Sequence, residues 1–206
     1  MEFPKMVVVN TYVPNNGTTP PSFKRRREWN ATALEFAERR RNEGKAVVWI
    51  GDLNTTHTSM DVTQPDRDFF FNQGSKDADR GDRGQPGYTP NEQLAHSELL
   101  QKGQLVDAFR HMHPEVSQLP DDPHWSWRGA AAVHASHAKY FGKGMRIDFS
   151  LVSRELEPLI ISADILGRGK ERTGAYFHPR RMCDLVGKKK TQDGLALRRR
   201  ARAWGL

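Results

Sequence analysis

A single cysteine, Cys183, stands among the 206 residues. An internal disulfide and a cysteine-rich zinc site are therefore excluded, and a reducing compartment is expected. No stretch approaches the ~20 consecutive apolar residues that a membrane span needs. The opening residues Met1-Glu2-Phe3-Pro4-Lys5 lack the basic, apolar and small-residue succession of a secretory signal. No internal repeat is found. What remains is a chain whose hydrophobic content of 36% can build a core. Its length suits one domain of ordinary size, or a large part of a bigger one.

Charge is unevenly placed. Residues 168–206 carry twelve Lys and Arg against Glu171, Asp184 and Asp193, a net +9, so the preceding 167 residues sum to −2 within the total of +7. The body is near neutral. Basicity alone therefore argues weakly for nucleic acid, and the runs Lys188-Lys189-Lys190 and Arg198-Arg199-Arg200 predict a disordered tail. A division into residues 1–166 and a tail of 167–206 follows.

Val7-Val8-Val9 through Val13 reads as a strand, stopped by the turn signal Pro14-Asn15-Asn16-Gly17. Ser22 is placed to cap a helix running to about Asn42, with Trp29, Ala33, Phe36 and Ala37 on one apolar face. Gly44 ends it, and Val47-Val48-Trp49-Ile50 is the next strand, giving a β-α-β unit. Residues 63–88 read as a long polar surface loop, of a length uncommon without function or disorder. Thr89 and Pro90 open a helix with Leu94, Leu99 and Leu100 on its apolar side. Leu105–Arg110 is a short buried segment, and His124–Arg128 alternates as a strand does. Residues 129–144 suggest a mobile loop, Arg146–Ser153 a further strand, and Leu159–Ile165 another.

The strand at 47–50 runs directly into Gly51-Asp52-Leu53-Asn54. It delivers an acid and an amide, two residues apart, to the same side of a rigid strand end. Such a pair suits a hard, oxygen-preferring cation and a phosphate, although Asp and Asn at a strand end are commonly just a turn.

Four segments decide between these readings: Tyr12-Val13-Pro14-Asn15; Gly51-Asp52-Leu53-Asn54 with His57; Tyr88-Thr89-Pro90 with Val106-Asp107-Ala108-Phe109-Arg110-His111; and Gly144-Met145-Arg146-Ile147-Asp148. Over roughly residues 7–165 their order and spacing resemble the exonuclease III type of apurinic/apyrimidinic (AP) endonuclease, of the endonuclease/exonuclease/phosphatase superfamily. The resemblance implies an α/β fold, part of a two-sheet β-sandwich flanked by helices, with the N-terminal half missing. It implies phosphodiester hydrolysis at abasic sites in double-stranded DNA, with 3′–5′ exonuclease activity as a family trait, in base-excision repair. Mg²⁺ is the implied cofactor, with Mn²⁺ as a substitute. A nuclear location is the expectation, with a mitochondrion or a bacterial cytoplasm as alternatives, and no membrane partner; the oligomeric state is left open.

Carried over residue by residue, Tyr12 contacts the scissile phosphate, and Asp52 orients or deprotonates the attacking water or protonates the leaving group. Asn54 helps hold the metal site and stabilises the transition-state phosphate, and Asp148 positions a catalytic histidine. Asp52 and Asn54 are the metal-side residues. An in-line displacement needs this mixture: carboxylates with waters hold the cation, and neutral donors cradle phosphate oxygens without adding negative charge.

Other candidates have plainer readings. Asp107 and Arg110 are expected to pair structurally. His111 with His113, and His134 with His137, lack metal-site spacing and read as loop histidines. Trp125 and Trp127 are half core, one of them a candidate lining for an abasic pocket, and Lys24–Arg27 is a solvated helix face, with phosphate contact as its alternative reading. The family pattern also holds an earlier asparagine, a metal-binding glutamate and a closing Ser-Asp-His, none of which is found here; His178 lies outside that motif. An incomplete centre is therefore the expectation. The alternative functions are a noncatalytic nucleic-acid-binding or unstable fragment, or a sibling retroelement endonuclease or phosphatase.

Overall fold

The computed structural model describes residues 1–63, 67–116, 124–128 and 143–165. The basic tail, the 166/167 boundary, His134, His137 and nearly all of the 129–144 loop lie outside the described residues.

β1 (Met6–Tyr12), α1 (Pro20–Asn42) and β2 (Ala46–Asp52) form the expected β-α-β unit. The two strands pair in parallel from Met6 opposite Ala46 to Tyr12 opposite Asp52, which requires a long crossover such as α1. The helix starts earlier than Ser22. Thr19 is its N-cap, and Pro20-Pro21 occupy the first two positions, where a missing N–H leaves no bond unmade. Ser22 completes the cap from the third position, its Oγ accepting the Thr19 N–H at 3.1 Å. Small residues on the inner stripe, Ala33 and Ala37, let the helix lie close on the sheet. Trp49 of β2 meets Trp29 and Phe36 edge to face, at 6.0 and 5.8 Å between ring centroids.

Within the expected 63–88 loop, residues 67–88 hold more structure than an open loop. Within them α2 (Arg67–Phe71) buries Phe70 completely, in a second apolar cluster with Val62, Tyr88, Met145 and Ile147. α3 (Pro90–Lys102) begins as expected at a Thr89 capping box with Glu92. It buries Glu92, His96 and Leu99, whereas Leu94 is 60% exposed and does not belong to the apolar side. β3 (Leu105–Asp107) passes directly into α4 (Ala108–Met112), with the Asp107 carboxylate accepting the Arg110 N–H as its cap.

Of the expected strand at 124–128 only β4 (Trp127–Arg128) forms a ladder, paired antiparallel with β5 (Gly144–Met145). His124 and Trp125 are buried by packing instead. β6 (Asp148–Ser153) starts two residues later than Arg146. It lies antiparallel between β2 and β3, and the sheet order is β1-β2-β6-β3. No strand forms at 159–165. Residues Arg154–Leu159 make a 3₁₀ turn containing Pro158, which has no N–H to give a ladder, and Ala163 and Ile165 are buried without strand pairing.

Candidate functional site

Register brings three of the sequence-derived residues into one row. Tyr12 of β1 is opposite Asp52 of β2, and Asp52 is opposite Asp148 of β6. Side chains directly opposite in a sheet share a face. Val47 and Trp49 pack towards α1, so alternation puts Asp52 and its row on the other face, at the edge where β1 and β2 end. Tyr12 is 74% exposed there, and both aspartates are half-buried. Leu53 N–H donates to Ile147 O at 2.9 Å, which makes Asp52 and Asp148 a non-hydrogen-bonded antiparallel pair. In that kind of pair the Cα atoms approach to about 4.5 Å, closer than in the alternative kind. Like charges directly opposite one another in a sheet are unfavourable, and a cation between two carboxylates relieves that repulsion.

Gly51 makes the row compatible with close strand pairing. Its φ is +132°, and a Cβ added to it would lie 2.1 Å from Thr11 O.

Asn54 sits differently. It is 7% exposed with a φ of +48°, and its amide fastens backbone: Nδ2 donates to Val13 O at 2.8 Å, and Oδ1 accepts from Asn15 Nδ2 at 3.3 Å. One Asp52 oxygen accepts the Asn54 N–H at 2.7 Å, so the turn reading of this dipeptide holds alongside the functional one. The resemblance implies a metal and phosphate role for Asn54, and in the structure its amide also fastens the loop.

The sequence reading missed Arg26. Far from lying on a solvated face, it is 3% exposed and joins the two loops that leave β1 and β2. Nη1 donates to Pro14 O at 2.8 Å, Nη2 to Leu53 O at 2.9 Å, and Nε to Asn30 Oδ1 at 3.0 Å. A signal was present, because Phe23, Arg26, Ala33 and Ala37 share one helical stripe and all are buried. Burial lowers the Arg26 pKa, with the Glu92 and Asp52 carboxylates opposing the shift. Burial likewise raises Glu92, despite Arg26 and the Thr89 hydroxyl.

A separate buried ionic cluster joins Asp61, Asp107, Arg110 and Arg146. Asp107 and Arg110 pair structurally, the Asp107 carboxylate accepting the Arg110 N–H, and their side chains take further charged partners. Arg146, 1% exposed, donates to Asp61 Oδ1 from Nε at 2.9 Å and to Asp107 Oδ2 from Nη2 at 2.7 Å. Arg110 Nη2 reaches the same Asp61 oxygen at 2.7 Å. The other Asp61 oxygen accepts the N–H groups of His57 and Thr58 at 3.2 and 3.0 Å. Burial would raise the Asp61 carboxyl, but Arg146 and Arg110 outweigh it and hold the pKa at about 2. Burial would lower Arg146, but Asp107 and Asp61 raise it above its ordinary value. His57 stacks on His96 at 4.9 Å, and burial lowers both below 6.5, His96 furthest.

Among the described residues, His111 lies in α4 and His113 directly follows it, and both make structural contacts. His111 Nδ1 lies 3.1 Å from Glu157, and His113 Nε2 lies 2.9 Å from Ala163 O. Among the described residues no three His, Cys, Asp or Glu side chains gather to hold a metal. The two adjacent carboxylates of the row are oxygen donors only. They fit a hard cation such as Mg²⁺, which binds through one or two carboxylates and keeps several waters.

Known proteins resemble this chain in sequence and in fold. Residues 2–169 match the model of the Endonuclease/Exonuclease/phosphatase family. A DNA-(apurinic or apyrimidinic site) endonuclease of Arabidopsis thaliana is 37% identical over 190 residues, covering 90% of this chain and 48% of the relative. An exodeoxyribonuclease of Bacillus subtilis is 28% identical, covering 81% and 58%. Among solved structures, the 3′ phosphatase NExo from Neisseria bound to product DNA hairpin has a TM-score of 0.61 at 19% identity, covering 89% of this chain and 62% of that one. An AP endonuclease from Archaeoglobus fulgidus has a TM-score of 0.57 at 20% identity, covering 85% and 59%. The chain spans about half the length of the curated relatives it matches. The motif order read from the sequence, the helix-flanked sheet and a family match extending from before β1 to beyond β6 agree, and this chain belongs to the endonuclease/exonuclease/phosphatase family.

Proposed function

We propose that this chain contributes to Mg²⁺-dependent hydrolysis of a DNA phosphodiester, on duplex DNA at abasic sites, in base-excision repair. The nucleus is the proposed compartment, with a mitochondrion or a bacterial cytoplasm as the alternatives. The observation that carries this reading is the row of Tyr12, Asp52 and Asp148, with its two carboxylates in the closer kind of cross-strand pair. The Arabidopsis relative's name supports the abasic-site substrate.

Asp52 and Asn54, as the resemblance implies, with Asp148 beside Asp52, are the residues that would hold the cation, which would supply charge neutralisation at the phosphate. The Tyr12 hydroxyl donates to a non-bridging phosphate oxygen, and as a neutral donor it adds no negative charge beside the phosphate. Asp52 takes a proton from that water or returns one to the leaving oxygen, and Asp148 sets the carboxylate geometry beside it. Arg26 and Asn54 hold the two loops so that Tyr12 and Asp52 keep their spacing.

The test is strand scission of an abasic-site duplex with Mg²⁺ and with EDTA, by the unaltered chain and by Asp52→Asn. Scission should require the metal and fall by about 10²-fold or more in the variant. Equal cleavage by both proteins would refute the assignment. Duplex binding without any scission would favour the noncatalytic nucleic-acid-binding alternative.

A further inference from the structure

We propose that Ser126, between the two tryptophans, is a positioning residue for Asp148; this rests on the proposed role of Asp148 in the carboxylate row. The need for such a residue follows from the ladder. In the Asp52–Asp148 pair, the Asp148 N–H points away from β2, towards the side where β3 lies. But β3 pairs with β6 only from Leu151 to Ser153. Among the described residues no strand lies where the first residue of β6 directs its N–H. Ser126 Oγ fills that place, accepting the Asp148 N–H and the preceding Ile147 N–H, each at 2.9 Å. A hydroxyl oxygen has two lone pairs, and both are used.

Ser126 is itself held. Its N–H donates to Met145 O at 3.2 Å, and the next residue, Trp127, is paired with Met145 in the β4–β5 ladder. On the other flank, Leu53 N–H binds Ile147 O and Arg146 N–H binds Asp61 O, at 2.9 and 2.8 Å. The backbone bearing Asp148 is thus gripped from both sides. The Ser126 side is the one that fixes the N–H of Asp148 itself, and with it the separation of the two carboxylates. A displacement of 1 Å in such a group is enough to cost about 10²-fold in rate.

The experiment compares the unaltered chain with Ser126→Ala and with Ser126→Thr, which keeps the hydroxyl. Amide exchange by NMR should accelerate at Ile147 and Asp148 in the alanine variant while Trp49 and Leu151 keep their protection. On the abasic duplex, kcat should fall about 10- to 100-fold with KM within about twofold, and threonine should restore both readouts. A loss confined to KM, an unchanged kcat, or no rescue by threonine would overturn the proposal. If the unaltered chain does not cleave, the proposed function fails separately. The Asp148 side-chain carboxyl ¹³C resonance then decides: movement in the alanine variant that threonine reverses supports positioning, and an unmoved signal overturns it.

Discussion

Replacing Asp61 by Asn removes one negative charge and almost no volume, so the consequence is electrostatic. One carboxylate oxygen receives Arg146 and Arg110, and the other receives the N–H groups of His57 and Thr58. An amide presents one oxygen and one NH₂. Whichever way it is turned, NH₂ faces either two guanidinium groups or two backbone donors. Depression of the Asp61 pKa from 3.8 to about 2 corresponds to about 2 kcal/mol of stability at neutral pH. Misplaced donors in a buried cluster raise the expected total to about 3–5 kcal/mol. Because the folded-state pKa is lowered, this contribution is complete above the unfolded value near 4. It is lost as pH falls through about 2. Urea unfolding of both proteins from neutral to acid pH tests the argument. The gap should be widest at pH 7 and narrow by about 2 kcal/mol as pH drops from 4 towards 2, with unchanged m-values. A gap below about 1 kcal/mol at pH 7, or one that does not respond to acid, would refute the assignment of Asp61 as the anionic centre of the cluster.

Two further perturbations test the packing around the site. Gly51→Ala puts a methyl group 2.1 Å from Thr11 O at a φ of +132°, so β1 and β2 must part beside Tyr12 and Asp52. A loss of about 3 kcal/mol is expected by thermal or urea unfolding, and a variant as stable as the parent would contradict the register. His96 is buried against His57, Phe149 and the Arg146 charge, and its Nε2 has no hydrogen-bond partner. Its folded pKa is depressed, so its contribution is complete above about 6.5 and is lost as pH falls below that value. His96→Phe should be neutral or stabilising at pH 7 and should flatten the stability decline between pH 6.5 and 5, leaving the weaker part from His57. An unchanged acid decline in the variant would show that His96 is not its source.

The strands that carry the row were legible because each is a β-branched or aromatic run ending in a polar motif, and the row itself was legible through those motifs. What the sequence hid are the residues whose partners are far away along the chain. Arg26 binds Leu53 across 27 positions, Arg146 binds Asp61 across 85, and Ser126 binds Asp148 across 22. In a linear reading each has the composition of surface: a basic run, an Arg before a strand, a serine between aromatics. Their common cause is a shared need. Where β1, β2 and β6 stop pairing, backbone groups at Pro14, Leu53 and Asp148 remain without ladder partners and cannot be buried unpaired. The polar side chains that satisfy them have to come from outside the local sequence. A guanidinium suits Pro14 and Leu53, because its fork reaches two carbonyls at once, and a hydroxyl suits consecutive N–H groups, because one oxygen accepts both. The same dependence explains why the 159–165 prediction failed. Its isoleucines have strand propensity, but propensity reports only the local chain. Whether a ladder partner exists is a property of the assembled sheet, whose order among the described residues ends at β3.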